Sequence, residues 1–168
     1  MTVERFTADD AGWPAYVAHL RRIEQARWVV TEGGQPLDDL YFLGVVIDDE
    51  VVGNISLKRQ SIIIPATEWT GGQDTPLNGP DGEPLQELFV QTFAVEAAYR
   101  RHGYGRALQL AALVLTRELG CHQLRSWSSL DKPANYALKL SLGFAVHPAI
   151  SPTSAGYDVS GVYFIKAV

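Results

Sequence analysis

The sequence predicts a mixed α/β (α+β) domain, and three observations carry that reading. Apolar stretches of strand length alternate with amphipathic stretches of helix length along most of the chain. A polar turn, Asp48-Asp49-Glu50, sits between two strand-like runs and reads as a hairpin. Finally, an apolar strand at 88–95 runs through a basic, glycine-bearing loop into a long helix at 103–119.

Taken in order, 3–6 is a short opening strand. Asp9 or Asp10 can cap a helix over 13–27, where Val17, Leu20, Ile23 and Ala26 recur at helical spacing and Pro14 falls in the tolerant first turn. Trp13 and Tyr16 on that helix read as core or rim. Strands follow at 41–47 and 51–64. In the second, Val51, Gly53, Ile55 and Leu57 alternate with Val52, Asn54, Ser56 and Lys58, which predicts one buried and one half-wet face. The segment 65–86 is rich in Pro, Gly, Asp and Thr and holds Trp69; it reads as a long irregular loop, a substrate-side flap or a dimer contact. After the helix at 103–119, stopped by Gly120, come a strand at 123–128 and a short helix at 133–142 ended by Gly143. Closing strands at 144–147 and 162–168 flank a loop at 148–160.

At 168 residues the chain is expected to form a single domain over 1–168, large enough to bury a core without disulfides. A net charge of −5 disfavours nucleic acid, which needs a broad basic surface. The basic residues gather instead around 100–106, which suits a small anionic ligand. The single cysteine, Cys121, excludes an intramolecular disulfide and a cysteine-based metal site and reads as a small buried apolar residue. No metal is expected. The first residues lack the pattern of a signal peptide and no apolar run has membrane-span length, so a cytoplasmic protein without a membrane partner is the expectation.

The strand-to-helix loop carries the chemistry. The first turn of a helix offers backbone N–H groups without intrahelical partners, and the helix dipole places partial positive charge there. Gly103 and Gly105 let an anion approach the backbone, and Arg100, Arg101 and Arg106 add formal charge. This is the pattern of a pyrophosphate cradle.

Strand, Arg100-x-x-Gly103-x-Gly105, then helix resembles the GNAT N-acetyltransferase superfamily, whose pattern is Gln/Arg-x-x-Gly-x-Gly/Ala. A second element agrees: the strand ending at Ser128, a helix from Asn135 to Leu142, then Gly143-Phe144. The resemblance implies a mostly antiparallel central sheet of about six to seven strands, splayed at the central strand and flanked by about four helices. It implies acetyl-CoA as cosubstrate, with the pantetheine arm pairing with backbone at Phe93, Ala94 and Val95. The amides of Arg100, Arg101, His102, Gly103, Tyr104, Gly105 and Arg106 would hold the pyrophosphate. Asn135 and Lys139 would face the arm or its thiol. The family's frequent thiolate-protonating tyrosine falls at Lys139 here, and Tyr136, one turn earlier, is the substitute acid. The frequent proline after the bulge is Ala97.

The implied reaction is direct acetyl transfer to a primary amine of a small molecule or peptide, with the Val95 N–H as oxyanion donor. Glu87 is the candidate base, acting through water, although a solvated strand-edge carboxylate is the competing reading. Glu96 is expected to cap or pair with nearby arginines. Asp38, Asp39, Asp74, Asp81 and Glu83 could draw a cationic acceptor, and Trp69 and Trp127 could line its pocket. The alternative is a non-catalytic acyl-CoA-binding or sensing module. A homodimer is plausible through the long loop or the C-terminal strands.

Overall fold

A computed structural model of the chain describes residues 2–66, 71–152 and 158–168. The elements are β1 (Thr2–Phe6), α1 (Trp13–Arg22), β2 (Leu40–Ile47), β3 (Glu50–Ser61), β4 (Ile63–Ile64) and β5 (Thr75–Pro76). They continue with β6 (Gln86–Val95), α2 (Tyr104–Glu118), β7 (Gln123–Ser129), α3 (Pro133–Ser141), β8 (Ala145–Pro152) and β9 (Asp158–Ala167). Seven strands form one sheet in the order β1-β2-β3-β6-β7-β9-β8. Every neighbouring pair in it is antiparallel except β6–β7, which is parallel. The described residues hold three α-helices rather than about four, with single 3-10 turns at Ala26–Trp28 and Ala97–Tyr99.

The helices divide between the two faces. Leu108, Ala112 and Leu115 of α2 pack with Leu43, Ile55, Leu57, Leu88, Leu124 and Phe164 of the sheet, and Tyr136 and Leu138 of α3 join this core. On the other face α1 packs Trp13, Tyr16, Val17 and Leu20 against Phe6, Phe42 and Val51. The α1 core therefore rests on β1–β3. On the same face, β6, β7 and β9 carry Phe89, Arg125 and Tyr163 outside it.

Several expectations shift for physical reasons. Helix α1 ends at Arg22, because Glu24 adopts φ 60° and the chain doubles back to bury Val29 and Val30 beside Leu20. Its N-cap is Gly12; Asp10 instead accepts the Thr7 N–H at 2.6 Å and organises the turn before the helix. The β2–β3 turn places Asp48 and Asp49 at φ 48° and 64°, the left-handed pair of a tight two-residue hairpin. β3 has no half-wet face over Val51–Leu57, since helices cover both sides there. The segment 65–86 is not wholly irregular: Ile63–Ile64 pairs with Thr75–Pro76, and Asn78 bridges Pro84. Trp69 lies outside the described residues. At the C-terminus, β8 and β9 extend well into the predicted 148–160 loop, pairing as far as Pro152↔Asp158. Pro148 fits because β8 is an edge strand, where a missing N–H breaks no interior ladder.

Gly161 is a packing requirement that composition did not reveal. A Cβ there would stand 2.7 Å from Trp127 Cζ2 and would overlap the Ser128 carbonyl, so the indole lies flat across the glycine. Gly161→Ala is expected to push β9 off β7 and lower Tm by roughly 5–10 °C, as for an overpacked core site. An unchanged melting curve would contradict this packing.

Candidate active site

β6 has two neighbours and treats them differently. It pairs with β3 from Gln86 through Val95, but with β7 only at Glu87↔Gln123, Leu88↔Leu124 and Phe89↔Arg125. Beyond Phe89 the two strands part. A bulge at Gln91 accompanies the parting, because Val90 opposes Leu57 and Thr92 opposes Ser56. The extra residue reverses the facing of everything after it. Glu87 and Phe89 do not share a face with Phe93, as strict alternation would have it. Phe93 turns toward α2, where its ring tip is 3.4 Å from the position of a Cβ on Gly105. The Glu96 N–H donates to the Val52 carbonyl at 2.9 Å, so alternation along the strand aims the Val95 and Phe93 N–H groups into the gap. The Val95 carbonyl accepts from Arg100 Nε at 2.9 Å.

A buried polar cluster holds this free half of β6 against β3 and α1. His19, fully buried on α1, lies 2.8 Å from Glu96 Oε1 through Nδ1 and 3.1 Å from Asn54 Oδ1 through Nε2. Asn54 Nδ2 donates onward to Thr92 Oγ1 at 3.0 Å. His19 thus bridges the Glu96 carboxylate and the Asn54 amide, one through each ring nitrogen. Burial alone would raise the Glu96 carboxyl, but hydrogen bonds from Arg22 and His19 outweigh it and hold the group below its usual range. Glu96 thus pairs with α1 rather than with the arginines of its own loop. Sequence reasoning missed this cluster. Its one signal was position: His19 sits on the inward helix face beside Tyr16 and Leu20.

The loop after β6 holds the residues read as a cradle. Gly103 caps α2 at φ 83°, and the space around its missing Cβ holds no atom within 4 Å. Ala107 makes the first intrahelical bond, to Gly103 O, leaving the Tyr104, Gly105 and Arg106 amides pointing outward. Arg101 and His102 are exposed. His102 donates Nδ1–H to Arg100 O at 2.8 Å and stacks on Tyr104, while Arg106 reaches Ser141 of α3 at 3.3 Å.

On the α3 side the predicted residues separate. Asn135 Oδ1 and Tyr136 OH are buried polar atoms without a partner among the described residues. The Tyr136 ring meets Phe164 edge-on at 5.0 Å, and Phe164 pairs with Ser126, one residue past the last β6–β7 rung. Lys139, by contrast, points away from the gap. It is 1% exposed, donates Nζ–H to Gln109 Oε1 at 2.7 Å and lies over the Phe144 ring. The expectation that Lys139 faces the cofactor arm is therefore corrected: its place on the helix turns it inward, onto Gln109 of α2 and Phe144.

The candidate base is corrected as well. Glu87 is fully buried, neither solvated nor open to water. Arg125 grips both its oxygens, with Nε at 2.9–3.0 Å and Nη2 at 2.6 Å, and Gln60 and Gln123 add bonds of 2.9 and 2.8 Å. Burial would lower the Arg125 pKa, but Glu87 raises it above its ordinary value. Such a carboxylate is a structural counter-ion; removing either partner would cost about 3–5 kcal/mol. The acidic loop residues are also displaced from the gap. Asp74, Asp81 and Glu83 belong to the ribbon joined to Ile62, at the opposite end of β6 from Val95, and the Asp39 backbone carbonyl accepts the Arg59 N–H, level with Leu88.

Burial pushes the Lys139 amine down to about 7 from 10.5. Between those values the unfolded chain binds more protons than the folded one, so this group's effect on stability improves as pH rises through that window. Lys139→Met should therefore stabilise the protein at pH 6, with the gain shrinking by roughly 2–3 kcal/mol at pH 9. Thermal melts of both proteins at both pH values test it; a constant difference would remove the buried charge from the account.

Comparisons with known proteins agree with this geometry. The family model described as Acetyltransferase (GNAT) family matches residues 8–144. No curated protein matches the chain. Among solved structures, NAA60 from Arabidopsis thaliana in complex with acetyl-CoA superposes with a TM-score of 0.65 at 14% identity, covering 99% of this chain and 100% of that one. Ribosomal-protein-alanine N-acetyltransferase from Brucella melitensis gives 0.62 at 18% identity, covering 100% of both chains. Aminoglycoside 6'-acetyltransferase type Ii gives 0.63 at 16%, covering 99% and 97%. At these identities the structural likeness concerns the fold; with the family match across most of its length, the chain belongs to the GNAT acetyltransferase family.

Proposed function

We propose that this protein transfers an acetyl group directly from acetyl-CoA to the primary amine of a small molecule or peptide. The observation that carries the reading is the gap itself. Two backbone N–H groups, Phe93 and Val95, face an opening that leads to the outward amides of the α2 N-terminus. The residues fit the donor. The open space at Gly103 admits a phosphate, and Asn135 Oδ1 and Tyr136 OH are buried groups in want of partners.

Acetyl-CoA supplies the activated acyl carbon and the thiolate leaving group. The backbone at 93–95 pairs with the extended arm as a missing strand would, while the amides of 100–106 and the dipole of α2 hold the pyrophosphate. Attack by the neutral amine forms the N–C bond and places negative charge on the carbonyl oxygen, where the Val95 N–H stabilises it. Tyr136 gives its proton to the departing sulfur. Glu87 is tied to Arg125, so loss of the amine proton falls to solvent rather than to that carboxylate. That same engagement, together with Lys139 at the family's frequent tyrosine position, favours an acyl-CoA-binding module without turnover.

Two variants test the assignment. Gly103→Val should keep the fold, because a left-handed non-glycine residue costs only about 1–2 kcal/mol, yet weaken acetyl-CoA binding at least tenfold by calorimetry. Unchanged affinity would remove the cradle. Tyr136→Phe should lower kcat by roughly 10²-fold with little change in the KM for acetyl-CoA, as loss of a general acid does. Thiol release across a panel of amines reads this out. Acetyl-CoA binding with no turnover on any amine would support the binding module instead.

A further inference from the structure

The open face beside the gap has an unusual charge balance. Phe89 and Arg125 form the last rung before β6 and β7 part. The Arg125 guanidinium lies 4.9 Å from the Phe89 ring centre and 4.7 Å from that of Tyr163, and the two rings meet edge-on at 6.5 Å. Trp127 pairs with Tyr163 and so shares this face. The residues form one half-buried aromatic surface at the root of the gap.

Its ionised groups point one way. Glu87, the carboxylate on this part of β6, is fully buried and engaged by Arg125, Gln60 and Gln123. Lys58 stands opposite Phe89 and is exposed. On this face of the described strands, a second or third positive charge on an acceptor would find no uncommitted carboxylate, and would lie near Lys58.

From this juxtaposition, and resting on the acyl-transfer reading, we infer that the acceptor is a monoamine carrying an aromatic or flat apolar group. That group stacks on Phe89 and Tyr163 while the amine enters the gap, and polycationic amines are excluded. Aromatic surface attracts both a ring and a single ammonium, so it retains such an acceptor without a counter-carboxylate. A polycation would be desolvated there with nothing to pair its further charges.

The test uses the full chain with acetyl-CoA and three probes: tryptamine, spermidine and kanamycin. Tryptamine should be acetylated with kcat/KM at least tenfold above either polycation. Tyr163→Leu should raise its KM about tenfold with kcat nearly unchanged, and Tyr163→Phe should restore it. Lys58→Glu, at an exposed site, should raise spermidine turnover several-fold. Spermidine or kanamycin matching tryptamine, an unmoved KM in Tyr163→Leu, or no spermidine response in Lys58→Glu would overturn the inference. Should acetyl-CoA bind and no amine turn over, the transfer reading fails. Saturation-transfer NMR then judges the platform alone: a tryptamine signal lost in Tyr163→Leu supports it, and one that persists overturns it.

Discussion

The structure depends on β6 belonging to β3 for its whole length and to β7 for only its first few residues. A strand that parts from a neighbour leaves backbone N–H and C=O groups without ladder partners, which is costly unless something else meets them. Here the parted half is held from the other side. His19 and Asn54 bind Glu96 and Thr92, the residues flanking the 93–95 triplet, so the strand cannot swing back to close the gap. Arg100 takes one carbonyl, and the N–H groups at Phe93 and Val95 face the gap with no β7 partner.

That arrangement turns a defect in a sheet into a site with two distinct sides. On the α2–α3 side, amides at a helix N-terminus and unpartnered atoms on Asn135 and Tyr136 suit an extended, phosphate-bearing donor. On the α1 side, Phe89, Arg125 and Tyr163 make the aromatic surface proposed for the second substrate. The bulge at Gln91 separates the two roles, sending Phe89 to one face and Phe93 to the other. The buried Glu87–Arg125 pair fixes the rung where separation begins, and removes from the acceptor side a carboxylate that would otherwise act as base or counter-ion.

Much of this was legible in the chain. The hairpin at Asp48-Asp49, the strand leading to Val95, the glycine cradle and the short helix before Gly143-Phe144 all rest on local rules of turn chemistry, capping and periodicity. Local rules failed where a distant partner decides. Strict alternation would put Glu87, Phe89 and Phe93 on one face; the bulge that prevents it is set by pairing with β3 and leaves no local mark. Lys139 looked like a cofactor contact by counting along the helix, but the helix's rotation against α2 turns it onto Gln109 and Phe144. Glu87 looked solvated because Arg125, Gln60 and Gln123 reach it from other strands.

The sequence by itself determined the class of fold, the family pattern and the basic, glycine-bearing loop, since each arises from residues close together in the chain. Tertiary structure alone decided which side chains confront the gap, which carboxylates are neutralised, and where β6 lets go of β7. Those outcomes depend on side chains such as His19 and Glu96 meeting across many intervening residues, and burial and ion pairing are properties of that meeting rather than of either residue.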